Sequence, residues 1–320
     1  MNTTHVYALP LRARFRGIDV REGLLVQGAA GWGEFAPFTE YDDTQALVWW
    51  RAAHESAQLG WPPPVRSEVP VNATVPAVGP DRVPELLARF PGCTTAKVKV
   101  GLSAEDRDAD LQRLACVREV LGPGGRIRID VNGGWDLDTA VRWLPRYDQA
   151  AGGLEYVEQP CATVAELAAL RRVVDVPIAA DESIRRAQDP MEVARAGAAD
   201  IAVLKVAPLG GVRSCLQIAE RIGLPVVVSS ALETSVGIAA GVALAAALPE
   251  LPHACGLATV GLFADDVVAE PLLPRHGALP VRRPEPDPVA LARVRPSGST
   301  EQWWRDRMNR LEVVRAGSSA

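Results

Sequence analysis

The sequence lacks a Cys-x-x-Cys pair, a basic tract and a long apolar run, and it is poor in aromatics and histidine. Its five cysteines (Cys93, Cys116, Cys161, Cys215 and Cys255) are odd in number and widely spaced. That pattern argues against a disulfide framework or a zinc ribbon and suits a reduced, cytoplasmic protein. Thirty-four Lys and Arg stand against 39 Asp and Glu, giving a net charge of −5. Without a basic patch or abundant aromatics, the footprint of a nucleic-acid binder is missing. The longest apolar run, Val236 to Leu248, is rich in Ala and Gly and too short for a bilayer, so it reads as a buried helix. The opening stretch, MNTTHVYALPLRARFRG, has no apolar h-region, so no secretory signal and no membrane partner are expected.

What is present is ordinary globular composition, 48% hydrophobic and 23% charged, with length for one large domain or two. The N-terminal stretch GLLVQGAAGWGEFAPF has strand patterning broken by glycines, as in a meander with a Gly-rich loop. A helical pattern over Thr44–Leu59 stops at GWPPP, a rigid break that suits a domain boundary. From Val69 onward short apolar runs alternate with helical patterns: VPVNATV, TAKVKVG, RIRIDVN, LEYVEQP, PIAADES, IAVLKVA, PVVVSS and ACGLAT. Ser103 with Asp106, and Thr163 with Glu166, have the spacing of capping boxes, and Asp189–Pro190 suits a helix start. Eight strands alternating with about seven helices predict an α/β fold with a (β/α)7β TIM-like barrel; a doubly wound open sheet is the alternative. The Pro- and Arg-rich tail ends in a helix-like STEQWWRDRMNRLEVV, expected to pack back on the N-terminal region. The expected division is a capping domain of α+β type over 1–68, joined by 285–320, and a barrel over 69–284.

Parallel barrel strands should be almost wholly apolar. Here they carry Lys97 and Lys99, Asp130, Glu158, Asp181 and Lys205 at or near their C-terminal ends. From Lys99 the steps are 31, 28, 23 and 24 residues, each one strand–helix unit. Successive strands thus deliver one charge each to the rim where barrel active sites lie. Three converging carboxylates repel unless a cation neutralises them, and oxygen-only ligands suit Mg2+ or Mn2+. Asn132 shares the face of Asp130, and Glu182 follows Asp181, so both are candidate supports for those ligands. A lysine flanked by another cation titrates low, which fits Lys97 beside Lys99. The alternatives are bland: rim salt bridges for the acids, and an edge strand with a solvated face for KVKV.

Taken in order, KVKVG, DVNGGW, EQP, ADES and LKVAPLGG resemble the enolase superfamily, in the muconate-lactonizing-type subgroup with a lysine on each side of the metal. GWGEFAPF is similar to the capping-domain loop that closes over the barrel mouth. The resemblance implies a cap on a (β/α)7β barrel, with Asp130, Glu158 and Asp181 as metal ligands. It implies Lys99 as acid/base, Lys97 as its pKa-lowering neighbour and Lys205 as the opposite-face lysine. The implied chemistry is removal of a proton α to a carboxylate of a small anionic substrate. Branches that use a late-strand histidine fit poorly, because His5, His54, His253 and His276 lie outside the acid cluster.

REGLLVQGAAGWGEFAPFTEYDD and VVVSSALETSVGIAAG most resemble the actinobacterial o-succinylbenzoate synthase branch. That branch implies a hydro-lyase step of menaquinone biosynthesis. N-succinylamino acid racemase, muconate cycloisomerase and dipeptide epimerase remain alternatives, as does a non-catalytic barrel that binds a metal–carboxylate ligand. The last strand, CGLATVG, has no Asp-x-Asp to hold an amine, which disfavours the epimerase. Ser229, Ser230 and Trp32 are the expected substrate contacts, with the loop from about Arg12 to Ile18 covering the site; Trp32 reads equally as a core residue of the cap. A monomer is expected.

Overall fold

The computed structural model describes residues 3–101, 103 and 105–317. Its N-terminal unit is strand-rich. Strands β1 (Thr4–Phe15), β2 (Ile18–Gly28) and β3 (Gly31–Phe35) form an antiparallel sheet in that order. Phe15 pairs with Ile18, and the two residues between, Arg16 and Gly17, have φ of 52° and 79°. Paired left-handed residues make the tight turn whose twist matches a hairpin. The sequence therefore forms a hairpin tip where a covering loop is expected, and GWGEF is strand β3 rather than a loop. Helix α1 (Asp43–His54) begins at a capping box in which Asp42 accepts from the Gln45 N–H and the Gln45 side chain accepts from the Asp42 N–H. It runs on as a π-helical turn, Glu55–Leu59, and stops before Gly60 and the Trp-Pro-Pro-Pro break.

A short strand β4 (Glu68–Pro70) leads into the barrel. Its strands are β5 (Ala73–Val75), β6 (Thr95–Lys99), β7 (Arg126–Asp130), β8 (Leu154–Glu158), β9 (Ile178–Ala180), β10 (Ile201–Leu204) and β11 (Val226–Val228). Interleaved are α2 (Val83–Leu87), α3 (Arg107–Leu121), α4 (Leu137–Ala151), α5 (Val164–Arg171), α6 (Glu182–Arg185), α7 (Glu192–Arg195), α8 (Val212–Ile222) and α9 (Ser235–Ala247). The seven strands are hydrogen-bonded as neighbours in chain order, and every pairing is parallel. The eighth expected strand is reduced to two bridging residues. Cys255 pairs with Val71 and Gly256 with Ser229, which joins the two edges of the curled sheet. The open-sheet alternative is thereby removed. The apolar run after Val236 is α9, almost wholly buried. Thr163 and Glu166 make the expected capping box on α5. Ser103 does accept from the Asp106 N–H, but α3 starts only at Arg107. Asp189 accepts from the Met191 N–H just ahead of α7.

The period of two along the strands separates two apolar regions. Outward residues such as Val98, Ile129 and Val157 join the large core beneath the helices. Inward residues Tyr156, Ala179, Ile201, Val203 and Val227 form their own cluster inside the barrel. Lower in the barrel lies the fully buried Arg128, paired with Glu155 at 2.5 Å and bonded to the Ala254 carbonyl at 2.6 Å. Lys97 and Lys99 point to the same interior, because β6 lies between β5 and β7; it is no edge strand.

Strand β12 (Ala278–Pro280) pairs with β4, α10 (Pro288–Arg293) follows, and α11 (Gly298–Gly317) returns to the N-terminal sheet. Trp304 is its anchor, packed edge-on to Phe35 at 5.9 Å and donating its indole N–H to Glu22. Arg307 bonds the Tyr41 carbonyl.

Candidate active site

The rim charges meet because register brings them level. Lys99 faces Asp130 across β6–β7, and Asp130 faces Glu158 across β7–β8. Asp181 follows β9 and Lys205 follows β10. Lys97 donates to both oxygens of Glu158, at 2.9 and 3.0 Å, and lies 3.3 Å from Asp130. Lys99 donates to Asp130 Oδ2 at 2.5 Å and to Asn132 Oδ1 at 2.7 Å. Lys205 donates to Asp181 Oδ2 at 2.6 Å. The three acids are 0–1% exposed. Lys99 and Lys205 thus approach the acid row from its two ends.

Burial opposes every one of these charges, and the neighbours decide which it overcomes. Burial holds Lys99 below the ordinary lysine range; Asp130 pulls it up, and Lys97 adds to the lowering. Burial also acts to lower Lys97, but Glu158 and Asp130 outweigh it and hold the ammonium well above that range. Asp130 and Asp181 are held low despite burial, by Lys99 and Lys97 in one case and by Lys205 and Arg185 in the other. Glu158, buried and next to Asp130, is pushed up to about 7.

Lys97, Lys99, Asp130, Asn132, Lys205, Ser229 and Ser230 all line one cavity of about 460 Å³. Ser230 shares a 2.7 Å hydrogen bond with Thr259. Glu182 stands behind that wall, its Oε1 taking the Asn132 amide N–H at 3.2 Å. Trp32 does not reach the cavity. It lies on β3, paired with Gln27 and packed on the His5 ring at 5.5 Å, because GWGEF is the edge strand of the N-terminal sheet and not a mouth loop. Its place is taken by Phe15 and Arg16 of the hairpin tip and by Phe38. Phe38 lies between two guanidinium groups, Arg16 at 4.1 Å and Arg21 at 4.3 Å from its ring centre. Arg21, itself buried, donates to the Leu232 carbonyl at 2.9 Å, so the N-terminal sheet is bonded to the segment beyond Ser230.

Sequence reasoning misses Arg185 and Gln159. Arg185 donates to Asp181 Oδ1 at 2.9 Å, four residues on in ADESIRR, a spacing that places both on one helix face. Gln159, the middle of EQP, accepts from the Asp181 and Ser183 N–H groups and so fixes the turn that presents Asp181.

The donor chemistry of Asp130, Glu158 and Asp181 fits a hard divalent cation: buried, oxygen-only and on adjacent strand ends. Glu182 Oε2 beside them is buried without a hydrogen-bond partner. Each of the three is turned onto a lysine, and among the described residues no three His, Cys, Asp or Glu side chains converge as a ready cage. Filling the site therefore takes rotation of carboxylates away from ammonium groups.

Comparison with known proteins follows the same lines. Residues 83–286 match the family described as Enolase C-terminal domain-like, and residues 6–57 match Enolase N-terminal domain-like. The o-succinylbenzoate synthase of Thermobifida fusca is 63% identical over 292 residues, covering 91% of each chain. That of Mycobacterium marinum is 55% identical, covering 96% of this chain and 93% of its own. Among solved structures, muconate lactonizing enzyme from Pseudomonas fluorescens superposes with a TM-score of 0.79 at 24% identity, over 92% of this chain and 98% of its own. The L-Ala-D/L-Glu epimerase of Bacillus subtilis gives a TM-score of 0.73 at 23% identity, over 89% and 96%. These two establish the shared architecture, and the sequence relatives place the chain more finely. The chain belongs to the o-succinylbenzoate synthase family of the enolase superfamily.

Proposed function

We propose that the protein dehydrates 2-succinyl-6-hydroxy-2,4-cyclohexadiene-1-carboxylate to 2-succinylbenzoate and water, a lyase step of menaquinone biosynthesis. The observation that carries this reading is the pair Lys99 and Lys205, which line one cavity and approach a row of three buried acids from opposite ends. Asp130, Glu158 and Asp181 would hold Mg2+, with Mn2+ as substitute. A divalent cation so held offsets the negative charge that develops on the substrate's ring carboxylate.

The chain's own residues account for the rest. Lys99, as free amine, takes the proton α to the ring carboxylate. The C–O bond to the ring hydroxyl then breaks, and the Lys99 ammonium returns its proton to the departing hydroxide, releasing water and restoring the amine. One group acting twice on one face gives syn elimination. The Lys205 ammonium lies over the opposite face, where its charge favours the electron-rich ring as it becomes aromatic. Lys97 stays charged on Glu158 and keeps positive potential beside Lys99. Ser229 and Ser230 orient the succinyl arm. The hairpin tip, Phe15 and Arg16, limits water at the mouth.

The division into a cap (1–68 with 285–320) and a barrel (69–284) belongs to the same proposal, supported by the matched segments and by α11 packing on the N-terminal sheet. A cytoplasmic setting is supported by five free cysteines. Among the described residues no helix is long and apolar enough to cross a membrane.

The test is direct. Purified protein with Mg2+ and the cyclohexadiene substrate should give the ultraviolet change of aromatisation; a chelator should stop it and added Mg2+ restore it. Bound substrate without turnover would mark a binder instead. A larger kcat/KM for N-succinylamino acid racemisation would move the assignment to the racemase branch.

A further inference from the structure

Arg185 is 8% exposed, and its three nitrogens have partners, two at the start of its own helix and one in the N-terminal unit. Nε donates to Asp181 Oδ1 at 2.9 Å, Nη2 to Glu182 Oε1 at 2.6 Å, and Nη1 to the Tyr41 hydroxyl at 2.9 Å. The path does not end there. Glu182 Oε1 also accepts from Asn132, and Asn132 Oδ1 accepts from Lys99 Nζ. Tyr41 comes from the N-terminal unit, between β3 and α1, 144 residues away in sequence. It is held there by ring contacts to Phe38 and Trp49, at 6.3 and 5.8 Å, and by the bond from Arg307 of α11 to its carbonyl. An unbroken set of hydrogen bonds therefore runs from the N-terminal unit through Arg185 to the amine of Lys99, with a branch to Asp181.

We propose that Arg185 is a positioning residue that ties seating of the N-terminal unit to the orientation of Asp181 and Lys99. The roles given to Asp181 and Lys99 are those of the reading above. The physical case is the guanidinium itself. Its planar fork serves three acceptors in three directions, which a lysine ammonium on a flexible stem cannot reproduce. A buried cation with any partner removed is costly, so the fork settles only when all three are in place. Tyr41 supplies the third only with the N-terminal unit seated. Until then Glu182 and Asn132 lose their fixed geometry, and Lys99 with them. The arrangement makes the base competent only under a closed mouth, where water is excluded.

Two variants separate positioning from mere adhesion. Tyr41→Phe deletes one hydroxyl and keeps the ring contacts. Its kcat should fall on the order of 10-fold with KM little changed. Arg185→Lys keeps the charge but not the fork. Titrating this variant with Mg2+ alone, by calorimetry and without substrate, should show affinity weakened by roughly 10-fold. In a double-mutant cycle, Tyr41→Phe added to Asn132→Ala should cost little beyond Asn132→Ala, since either cut breaks the same path. Should Arg185→Lys fail to fold, Tyr41→Phe and the cycle decide. The proposal is overturned by wild-type kcat in Tyr41→Phe, by wild-type Mg2+ affinity in Arg185→Lys, or by full additivity in the cycle, even where the melting temperature drops. The Mg2+ titration holds whichever carboxylate the enzyme turns over, so wild-type protein inactive on the cyclohexadiene would defeat the proposed reaction without touching that measurement.

Discussion

Glu34 on β3 accepts the backbone N–H of Thr234 at 3.1 Å, across 200 residues of sequence. Thr234 is the N-cap of α9, so a carboxylate of the N-terminal sheet serves as a cap for a barrel helix. Glu34 also accepts from the Gly237 N–H at 2.9 Å and from the Tyr7 hydroxyl at 2.6 Å. Glu34→Ala would leave these buried donors unpaired, at a cost of about 3 kcal/mol. Chemical denaturation should show that loss. Glu34→Gln, which keeps one acceptor oxygen, should fall between the two.

Glu233, beside Glu34, gives a pH dependence of stability. Burial first, and Glu34 second, push its carboxyl up to about 7 from an ordinary value of 4.5. Folding therefore takes up a proton between those values. Its contribution is complete below pH 4.5, declines as pH rises through 7, and is flat above. The span is about 3 kcal/mol at most. Denaturation midpoints of the wild type should fall over that window, and Glu233→Gln, uncharged throughout, should flatten this component. An unchanged slope in the variant would remove Glu233 as the titrating group.

The two lysines can be removed without wrecking the site. Lys99→Ala leaves Asp130 with Lys97 at 3.3 Å, and Lys205→Ala leaves Asp181 with Arg185 at 2.9 Å. Neither acid is stranded, so both variants should fold. Turnover should fall by about 10²- to 10⁴-fold for Lys99→Ala, the range for loss of a general acid/base. Lys205→Ala should lose about 10²- to 10³-fold through loss of charge stabilisation. Steady-state rates with melting curves on the same samples check both.

The rim cluster was legible in the sequence because two periodicities coincide. Side chains two apart share a strand face, and one strand–helix unit advances one position around the barrel, so KVKV, Asp130, Glu158, Asp181 and Lys205 had to meet. Contacts between the N-terminal unit and the barrel carry no such period. Arg21 with Leu232, Glu34 with Thr234 and Tyr41 with Arg185 join segments more than 140 residues apart; each polar side chain among them alone looks like a surface residue, and the Leu232 contact is to a backbone carbonyl. Arg128 was hidden for a related reason: a charge at the base of a strand reads as exposed until the ring of strands is closed around it. Of the two readings of Trp32, cover of the site or core of the cap, the structure places it with the cap, packed against the core; glycines break the strand pattern of GWGEF, and its second glycine serves packing against a helix.

That glycine supports a last prediction, by contrast with another. A Cβ added to Gly33 would lie 2.0 Å from the carbonyl oxygen of Ala53 in α1, and a backbone atom of a packed helix cannot step aside as a side-chain tip can. Gly33 is absent from the positions with left-handed φ, so alanine is acceptable there in conformation and the penalty is wholly one of contact. Gly33→Ala should force α1 outward, disturb the Trp50–Phe35 edge contact at 5.3 Å, and cost about 1–3 kcal/mol. Gly17, at the hairpin tip with φ of 79°, has the reverse problem: nothing lies within 4 Å of an added Cβ, but the conformation disfavours one. Gly17→Ala should cost about 1 kcal/mol through backbone strain alone. Trp50 fluorescence and denaturation midpoints should therefore move for Gly33→Ala, while Gly17→Ala shifts the midpoint slightly and leaves the fluorescence unchanged. Equal effects at the two sites would mean that α1 does not press on β3 as closely as the 2.0 Å approach requires.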